Sequence, residues 1–180
     1  DTANDYQLTR EAQDAYAIES LRRAQKAIAD GAFKQEIVAV TVATRKGDVI
    51  VDTDEQPGKG MPDKIPTLKA AFAKDGTITA ATSSSISDGA AALVLTRQSV
   101  ADANGQNAIA RIIAHAAHAQ EPSAFTTAPV GAINKCLAKA GWTIADVDLF
   151  EVNEAFAPVP LAWLKHTGGD SSKINVNGGA

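Results

Sequence analysis

The N-terminal part of the chain carries apolar positions at the spacing of a helix. Thr9 can accept a hydrogen bond from a first turn, and Glu11 places a negative charge where the helix dipole favours one. The apolar residues that recur every three or four positions are Ala17, Leu21, Ala24 and Ile28. Gly31 suits the left-handed residue that often follows a helix. The pattern predicts a helix that begins after Thr9 and ends at Gly31.

Two short runs of β-branched residues follow this helix. Residues 36–42 and 49–51 predict a strand pair, with turn chemistry at residues 46–48 between them. Residues 54–66 contain several prolines and glycines and predict an irregular surface loop. Residues 68–72 predict a short helical turn.

The second half of the chain alternates between strand-like apolar runs and segments that predict helices. Residues 90–95 predict a buried strand or the start of a buried helix, because periodicity alone does not separate the two. Residues 108–119 are apolar enough for a central strand, and residues 147–152 predict another strand. Residues 128–140 predict a helix with its proline in the first turn and a glycine just past its end, and residues 156–166 a further helix. Strands that alternate with helices predict an α/β layered domain.

Composition narrows the class of protein. The chain has 180 residues, 45% of them apolar, with a net charge of −4, which is typical of a globular protein and gives no reason to expect nucleic acid. It has no run of about 18 apolar residues, so we expect no membrane partner. A single cysteine, Cys136, excludes an intrachain disulfide framework and favours a reducing compartment, which we take to be the cytoplasm. Asp1 is not an initiator methionine and the chain ends one residue after a Gly-Gly pair, so we expect both ends to be edges of a longer chain.

Several motifs resemble those of the thiolase family. Residues 75–92, DGTITAATSSSISDGAAA, are similar to the family signature DGTVTAGNAS-x-x-NDGAAA, and residues 153–157 are identical to its NEAFA motif. Residues 175–180, NVNGGA, match the start of the block NxxGGA…GHPxGASG and stop short of its histidine. Residues 9–14, TREAQD, resemble the family's SREEQD stretch. Motifs in the expected order are much more specific than any one of them.

The resemblance implies a fold and an activity. The fold would be α/β, a thiolase-like layered αβαβα core, partial here, with an inserted loop or cap region. Residues 1–86 would cover coenzyme A, and residues 87–180 would form the first part of the C-terminal core domain. The activity would be acyl transfer, a Claisen condensation or thiolysis between acetyl-CoA and 3-ketoacyl-CoA through a cysteine acyl-enzyme. The catalytic cysteines and histidine would lie outside these residues, so we expect the chain alone to be inactive.

The resemblance also implies partners. The substrates would be acetyl-CoA, acyl-CoA or acetoacetyl-CoA, with no permanently bound cofactor. The family is usually dimeric or tetrameric, which implies a homodimer or homotetramer with a role in fatty acid metabolism.

Asn153 is the candidate catalytic residue. It directly follows a predicted buried strand and precedes a predicted helix, at the carboxyl end of a strand where open α/β sheets place ligands. Its amide can donate two hydrogen bonds from a neutral group. The resemblance implies that Asn153 holds a water that, with a histidine, stabilises the thioester oxygen as it becomes an oxyanion. The alternative is an asparagine that merely caps the next helix.

Five further residues are candidates for contact with coenzyme A. By resemblance, Ser84 would contact the pantetheine arm, where a short hydroxyl lets a thin chain approach the backbone. Its surroundings depart from the family, because Gly-Asn-Ala-Ser is replaced by residues 81–84, Ala-Thr-Ser-Ser. The other four are Ala80, Phe72, Phe156 and Phe125. The alternative interpretations are a polar linker for Ser84 and ordinary core packing for each phenylalanine.

No metal site is expected. His115 and His118 lie on a predicted strand, where residues three apart face opposite sides and cannot chelate together. Lys59 and Lys64 lie where relatives often have a basic residue near the nucleotide phosphates, although a solvated lysine is the more ordinary interpretation.

Two rival functions share this fold. The first is a thiolase-like protein that binds acyl-CoA or lipid without turnover. Such a protein would not need the catalytic cysteines. The second is a condensing enzyme that acts on carrier-protein thioesters, which fits poorly with NEAFA and with a long covering region.

Overall fold

The computed structural model describes residues 1–179, so that Ala180, the last residue of the third motif, lies outside them. The α-helices are α1 (Thr2–Asp5), α2 (Arg10–Asp30), α3 (Glu55–Lys59), α4 (Gln98–Ala103), α5 (Ala128–Ala140) and α6 (Pro158–Thr167). The strands are β1 (Val40–Thr44) and β2 (Gly47–Val51). Short 3-10 helices span Pro62–Thr67, Ala80–Thr82, Pro122–Thr127, Ile144–Asp146 and Ser171–Lys173. None of the helices described has the length and apolar content that a bilayer crossing requires.

Helix α2 confirms the first prediction at both ends. Thr9 is the N-cap, and its hydroxyl accepts a hydrogen bond from the Ala12 amide at 3.2 Å. Gly31 ends the helix in the left-handed conformation, with φ of 69°. Local chemistry is therefore sufficient to delimit this helix.

The strand pair is confirmed, but its turn was misplaced. β1 and β2 are antiparallel, with Val40 opposite Val51 and Thr44 opposite Gly47. The turn lies at residues 45–46, and Gly47, with φ of 114°, opens the returning strand. The Thr44 hydroxyl donates to the Gly47 carbonyl at 2.7 Å, which closes the hairpin one residue earlier than predicted.

The prediction of an irregular loop at residues 54–66 was wrong in part, because α3 and a 3-10 helix lie there. Asp54 caps α3 by accepting a hydrogen bond from the Gln56 amide. The helical turn predicted at residues 68–72 is absent from the described structure. The Ala71 amide instead donates to the Ile78 carbonyl at 2.8 Å, so this segment pairs with residues further along the chain.

The strand predicted at residues 108–119 is not formed, and residues 90–95 are neither strand nor helix. Both segments are irregular, and Leu93 and Ile109 are exposed at 87% and 103%. A strand needs a neighbour to satisfy its backbone groups. Within residues 1–179 neither segment takes part in a ladder or a bridge.

The hydrophobic core lies in the C-terminal half. Its buried members are Val130, Phe150, Val152, Val159, Trp163 and Ile174. The rings of Phe150 and Trp163 lie 4.6 Å apart between centroids. The strand predicted at residues 147–152 is reduced to a single parallel bridge between Phe150 and Ile174. The two predicted helices are confirmed as α5, which ends at left-handed Gly141, and α6. Helix α6 begins two residues later than predicted, because Pro160 has no amide to donate to the Phe156 carbonyl.

A polar stripe on α2, formed by Gln13, Tyr16, Ser20 and Arg23, faces the rest of the molecule. The spacing of three and four residues places these side chains on one helix face. Gln13 donates to the Thr77 hydroxyl at 3.0 Å, and Arg23 donates to the Ile174 carbonyl at 2.7 Å. The helix therefore docks against both halves of the chain through hydrogen bonds.

Candidate active site

Asn153 lies in a short segment that connects the core to α6. The preceding residues are held by a backbone pair: the Phe150 amide donates to the Lys173 carbonyl at 2.8 Å, and the Asn175 amide donates to the Phe150 carbonyl at 2.9 Å. Val152 and Glu154 are buried, whereas Asn153 between them is exposed. The segment thus presents the Asn153 side chain outward from a fixed backbone.

Asn175 fixes the peptide groups directly before Asn153. It is buried and has φ of 44°, a left-handed conformation that asparagine tolerates better than most residues. Its Oδ1 accepts from the Val152 amide at 2.8 Å, and its Nδ2 donates to the Val152 carbonyl at 2.8 Å. One side chain therefore supplies both hydrogen bonds that a neighbouring strand would supply.

Glu154, directly after Asn153, is a buried carboxylate that accepts three hydrogen bonds. Tyr16 and Ser20 of α2 donate from their hydroxyls at 2.7 Å each, and Asn175 Nδ2 donates at 2.7 Å. We call Tyr16, Ser20, Glu154 and Asn175 the Glu154 network. Burial of the phenol, together with the charge of Glu154 and the hydrogen bond to it, raises the pKa of Tyr16 above its usual range. Tyr16 therefore stays protonated as a donor at physiological pH.

The other side of the segment pairs with the predicted Ser84 region. The Ser84 amide donates to the Ala155 carbonyl at 3.2 Å, and the Ala157 amide donates to the Thr82 carbonyl at 2.9 Å. Ser84 itself is exposed. The structure thus places Ser84 beside the segment that carries Asn153, through the backbone.

Three predicted phenylalanines come together in an aromatic cluster formed by Phe72, Phe125 and Phe156. The ring of Phe156 lies 6.0 Å from that of Phe72 and 6.4 Å from that of Phe125, both edge to face. Phe72 and Phe125 remain exposed at 73% and 53%. Three segments that are distant in sequence therefore form one apolar surface. Its central residue, Phe156, follows Asn153 by three positions in the chain.

Ala80 lies on a different surface. It lines an open cavity of about 1240 Å³ between α2, residues 50–61 and residues 80–88. Glu154 and Gly179 also line this cavity, but Asn153 and the aromatic cluster do not. The predicted site residues thus divide between two sides of the 80–84 segment.

Lys59, His118 and Cys136 make ordinary structural contacts, and Lys59 and Lys64 also line the same cavity as Ala80. Lys59 pairs with Glu55 at 2.8 Å on the surface, and its hydrogen bond and charge lower the pKa of Glu55. His118 packs against Gly131, and Cys136 is half-buried. Within residues 1–179 no group of three or more potential ligands is arranged to hold a metal ion.

Sequence reasoning missed the roles of Glu154 and Asn175. Both belong to motifs that were recognised, but their partners are remote: Tyr16 lies 138 residues from Glu154. The available signal was an acidic residue just after a predicted buried strand, since an acidic residue inside a protein requires partners.

Family models match nearly the whole chain. The model described as "Thiolase, N-terminal domain" matches residues 1–99, and the one described as "Thiolase, C-terminal domain" matches residues 106–180.

Individual relatives agree with these matches. An acetyl-CoA acetyltransferase of Yarrowia lipolytica is 49% identical over 173 residues, which is 96% of this chain and 44% of the relative. A probable acetyl-CoA acetyltransferase of Dictyostelium discoideum is 48% identical and covers 100% of this chain and 44% of its own. The chain therefore spans less than half the length of these curated relatives.

Solved structures resemble the chain closely. The Bacillus anthracis acetyl-CoA acetyltransferase superimposes with a TM-score of 0.96 at 39% identity, over 99% of this chain and 45% of that one. The Acat5 thiolase of Ascaris suum, solved in complex with coenzyme A, gives 0.92 at 42% identity, over 99% and 46%. The α/β fold class predicted from the sequence is confirmed by these likenesses.

Proposed function

The chain belongs to the thiolase family, and from this premise we propose that the whole protein is an acyltransferase that acts on coenzyme A thioesters. The reaction is the condensation of acetyl-CoA with an acyl-CoA, or the reverse thiolysis of a 3-ketoacyl-CoA such as acetoacetyl-CoA. A cysteine acyl-enzyme, with its cysteines and histidine supplied beyond these residues, splits the reaction into two steps. Relatives named as acetyl-CoA acetyltransferases favour this activity over a binding protein without turnover.

The observation that carries the proposal is the placement of Asn153. Its side chain is exposed while the peptide groups on both sides are tied down by Asn175 and by the 82–84 segment. A donor that stabilises a developing oxyanion must be held before the reaction, because reorganisation during the reaction costs rate. The backbone that carries Asn153 meets that requirement, and we propose that its side-chain amide donates through a water to the thioester oxygen.

Coenzyme A lies along the aromatic cluster in this proposal. Phe72 and Phe125 offer an exposed apolar wall beside Phe156, and Ser84 offers a hydroxyl at its edge. Ala80 lines the cavity on the other side of the 80–84 segment, so its proposed contact requires a part of the coenzyme to reach that cavity. Residues 1–86 then act as the cover for coenzyme A, and residues 87–180 as the first part of the C-terminal core.

The test is Asn153→Ala in the full-length protein. We expect kcat for thiolysis of acetoacetyl-CoA to fall about 10²–10³-fold, the usual effect of removing one oxyanion donor. The affinity for coenzyme A should change far less, because the amide acts in the transition state. Steady-state kinetics and calorimetric titration with coenzyme A measure the two quantities.

Asn104→Ala is the matched control, since Asn104 is an exposed asparagine at the end of α4. It should leave both quantities unchanged. Equal losses of kcat and affinity in Asn153→Ala would assign that residue a structural role. Binding of coenzyme A by the wild-type protein without any thiolysis would favour the rival binding function.

The compartment, oligomeric state and metabolic role of the enzyme are also proposals. We infer a cytoplasmic homodimer or homotetramer that acts in fatty acid metabolism, with no permanently bound cofactor. Light scattering of the purified full-length protein decides the oligomeric state, and a monomer would exclude both assemblies.

A further inference from the structure

The Glu154 carboxylate is costly to bury, which makes its position informative. Removing a charged group from water is unfavourable unless hydrogen bonds replace its hydration. All three of its donors are neutral, and none of the four ion pairs within residues 1–179 involves Glu154. An apolar residue at such a site is often equally stable or more so. Stability alone therefore gives little reason for a carboxylate here.

The three donors come from two separate parts of the chain. Tyr16 and Ser20 belong to α2, in the proposed cover, whereas Asn175 belongs to the C-terminal segment. Asn175 reaches Glu154 with the same Nδ2 that binds the Val152 carbonyl. The side-chain amide of Asn175 thus links Val152 and Glu154, which flank Asn153. Glu154 in turn links this segment to α2.

Gly179 also contacts the Glu154 network. Gly179 donates its amide to the Ser20 hydroxyl at 3.0 Å, and it packs so closely that a Cβ would overlap the Glu154 carboxylate. The Ser20 hydroxyl therefore accepts from Gly179 while it donates to Glu154. Ser20 and Asn175 thus each bind Glu154 and at least one further group of the protein.

We propose that Glu154 is a positioning residue that holds Asn153 in its reactive orientation only when α2 is docked, so that the coenzyme A cover and the oxyanion site form together. The inference rests on the proposed function of Asn153. In this proposal Glu154 does not touch the reacting atoms and acts through the backbone of its neighbour. Docking of α2 supplies two of its three hydrogen bonds, which couples the two regions.

The experiment is a double-mutant cycle in the full-length protein. Glu154→Ala and Tyr16→Phe are each made alone and in the Asn153→Ala background, and kcat and KM are measured for thiolysis of acetoacetyl-CoA. Each single variant should lower kcat, by about tenfold for Glu154→Ala, with a much smaller change in KM. In the Asn153→Ala background neither should lower kcat further, because the group that they position is gone.

Tyr16→Phe removes one hydroxyl and keeps the ring, so a loss of kcat in this variant is not explained by misfolding. Glu151→Ala is the matched control, because Glu151 is an exposed carboxylate three residues away that should leave kcat unchanged. Losses that multiply in the double variants, or no loss in either single variant, would overturn the inference. If Asn153→Ala itself leaves kcat unchanged, the proposed role of Asn153 fails instead, so the two failures are distinguishable.

Discussion

At the residue scale, the Gly178–Gly179 pair shows why a motif needs its particular residues. Gly178 has φ of 83°, and a Cβ there would lie 2.6 Å from the Ala24 backbone nitrogen. The C-terminal segment thus passes against α2 where no side chain fits. The sequence indicates a turn at this pair, but the actual reason for glycine is the closeness of a helix more than 150 residues earlier in the chain.

We predict that Gly178→Ala destabilises the chain by about 2–4 kcal/mol, because it combines left-handed strain with overpacking against α2. Gly89→Ala is the control, since a Cβ at Gly89 meets nothing within 4 Å. Urea denaturation followed by circular dichroism measures both. Equal midpoints for the two variants would show that α2 does not pack against Gly178.

At the element scale, the ends of α2 and α5 were predictable, whereas neither the element predicted at residues 90–95 nor the strand predicted at residues 108–119 is formed. Thr9, Gly31 and Gly141 delimit α2 and α5 through contacts within a few residues, which sequence reasoning can follow. The segments at 90–95 and 108–119 have strand-like composition, yet strand formation depends on a partner that composition does not specify.

We predict that Thr9→Ala destabilises the chain by about 1 kcal/mol, the usual cost of losing an N-cap hydroxyl. Thr9→Ser keeps the acceptor for the Ala12 amide and should stay close to the wild type. The midpoint of urea unfolding, followed by helical circular dichroism, measures the difference. Identical losses in the two variants would mean that the hydroxyl does not stabilise α2.

At the scale of the whole molecule, apolar residues are divided between a small core and a large exposed surface. Ile174 is fully buried, whereas Ile109 is exposed at 103%. Identical side chains therefore contribute very differently to the stability of this chain.

We predict that Ile174→Ala costs about 2–5 kcal/mol and that Ile109→Ala changes the stability by less than about 0.5 kcal/mol. The pair is matched in chemistry and differs only in burial. Thermal unfolding of the 180-residue chain tests both. A comparable loss for Ile109→Ala would mean that residues 108–119 pack against another part of the chain in solution.

The candidate site, like the fold, was predictable from the sequence where its features are local and not where they depend on distant contacts. Asn153 stood out because it follows an apolar run and belongs to a short motif, both local features. Phe72, Phe125 and Phe156 were candidates for coenzyme A contact by family resemblance, but their edge-to-face cluster depends on three distant segments. Glu154 was missed because its hydrogen bonds join positions that no periodicity relates.

The polar stripe on α2 also determines where this helix can sit. A helix held by apolar contacts alone can slide by one turn, about 5.4 Å, and bury a similar area, because the hydrophobic effect has no direction. The stripe does not permit this sliding, since Arg23 and Gln13 each need a particular acceptor on the rest of the molecule. A helix transplanted from a relative would have to carry these polar positions at the same spacing, or it would dock in more than one place.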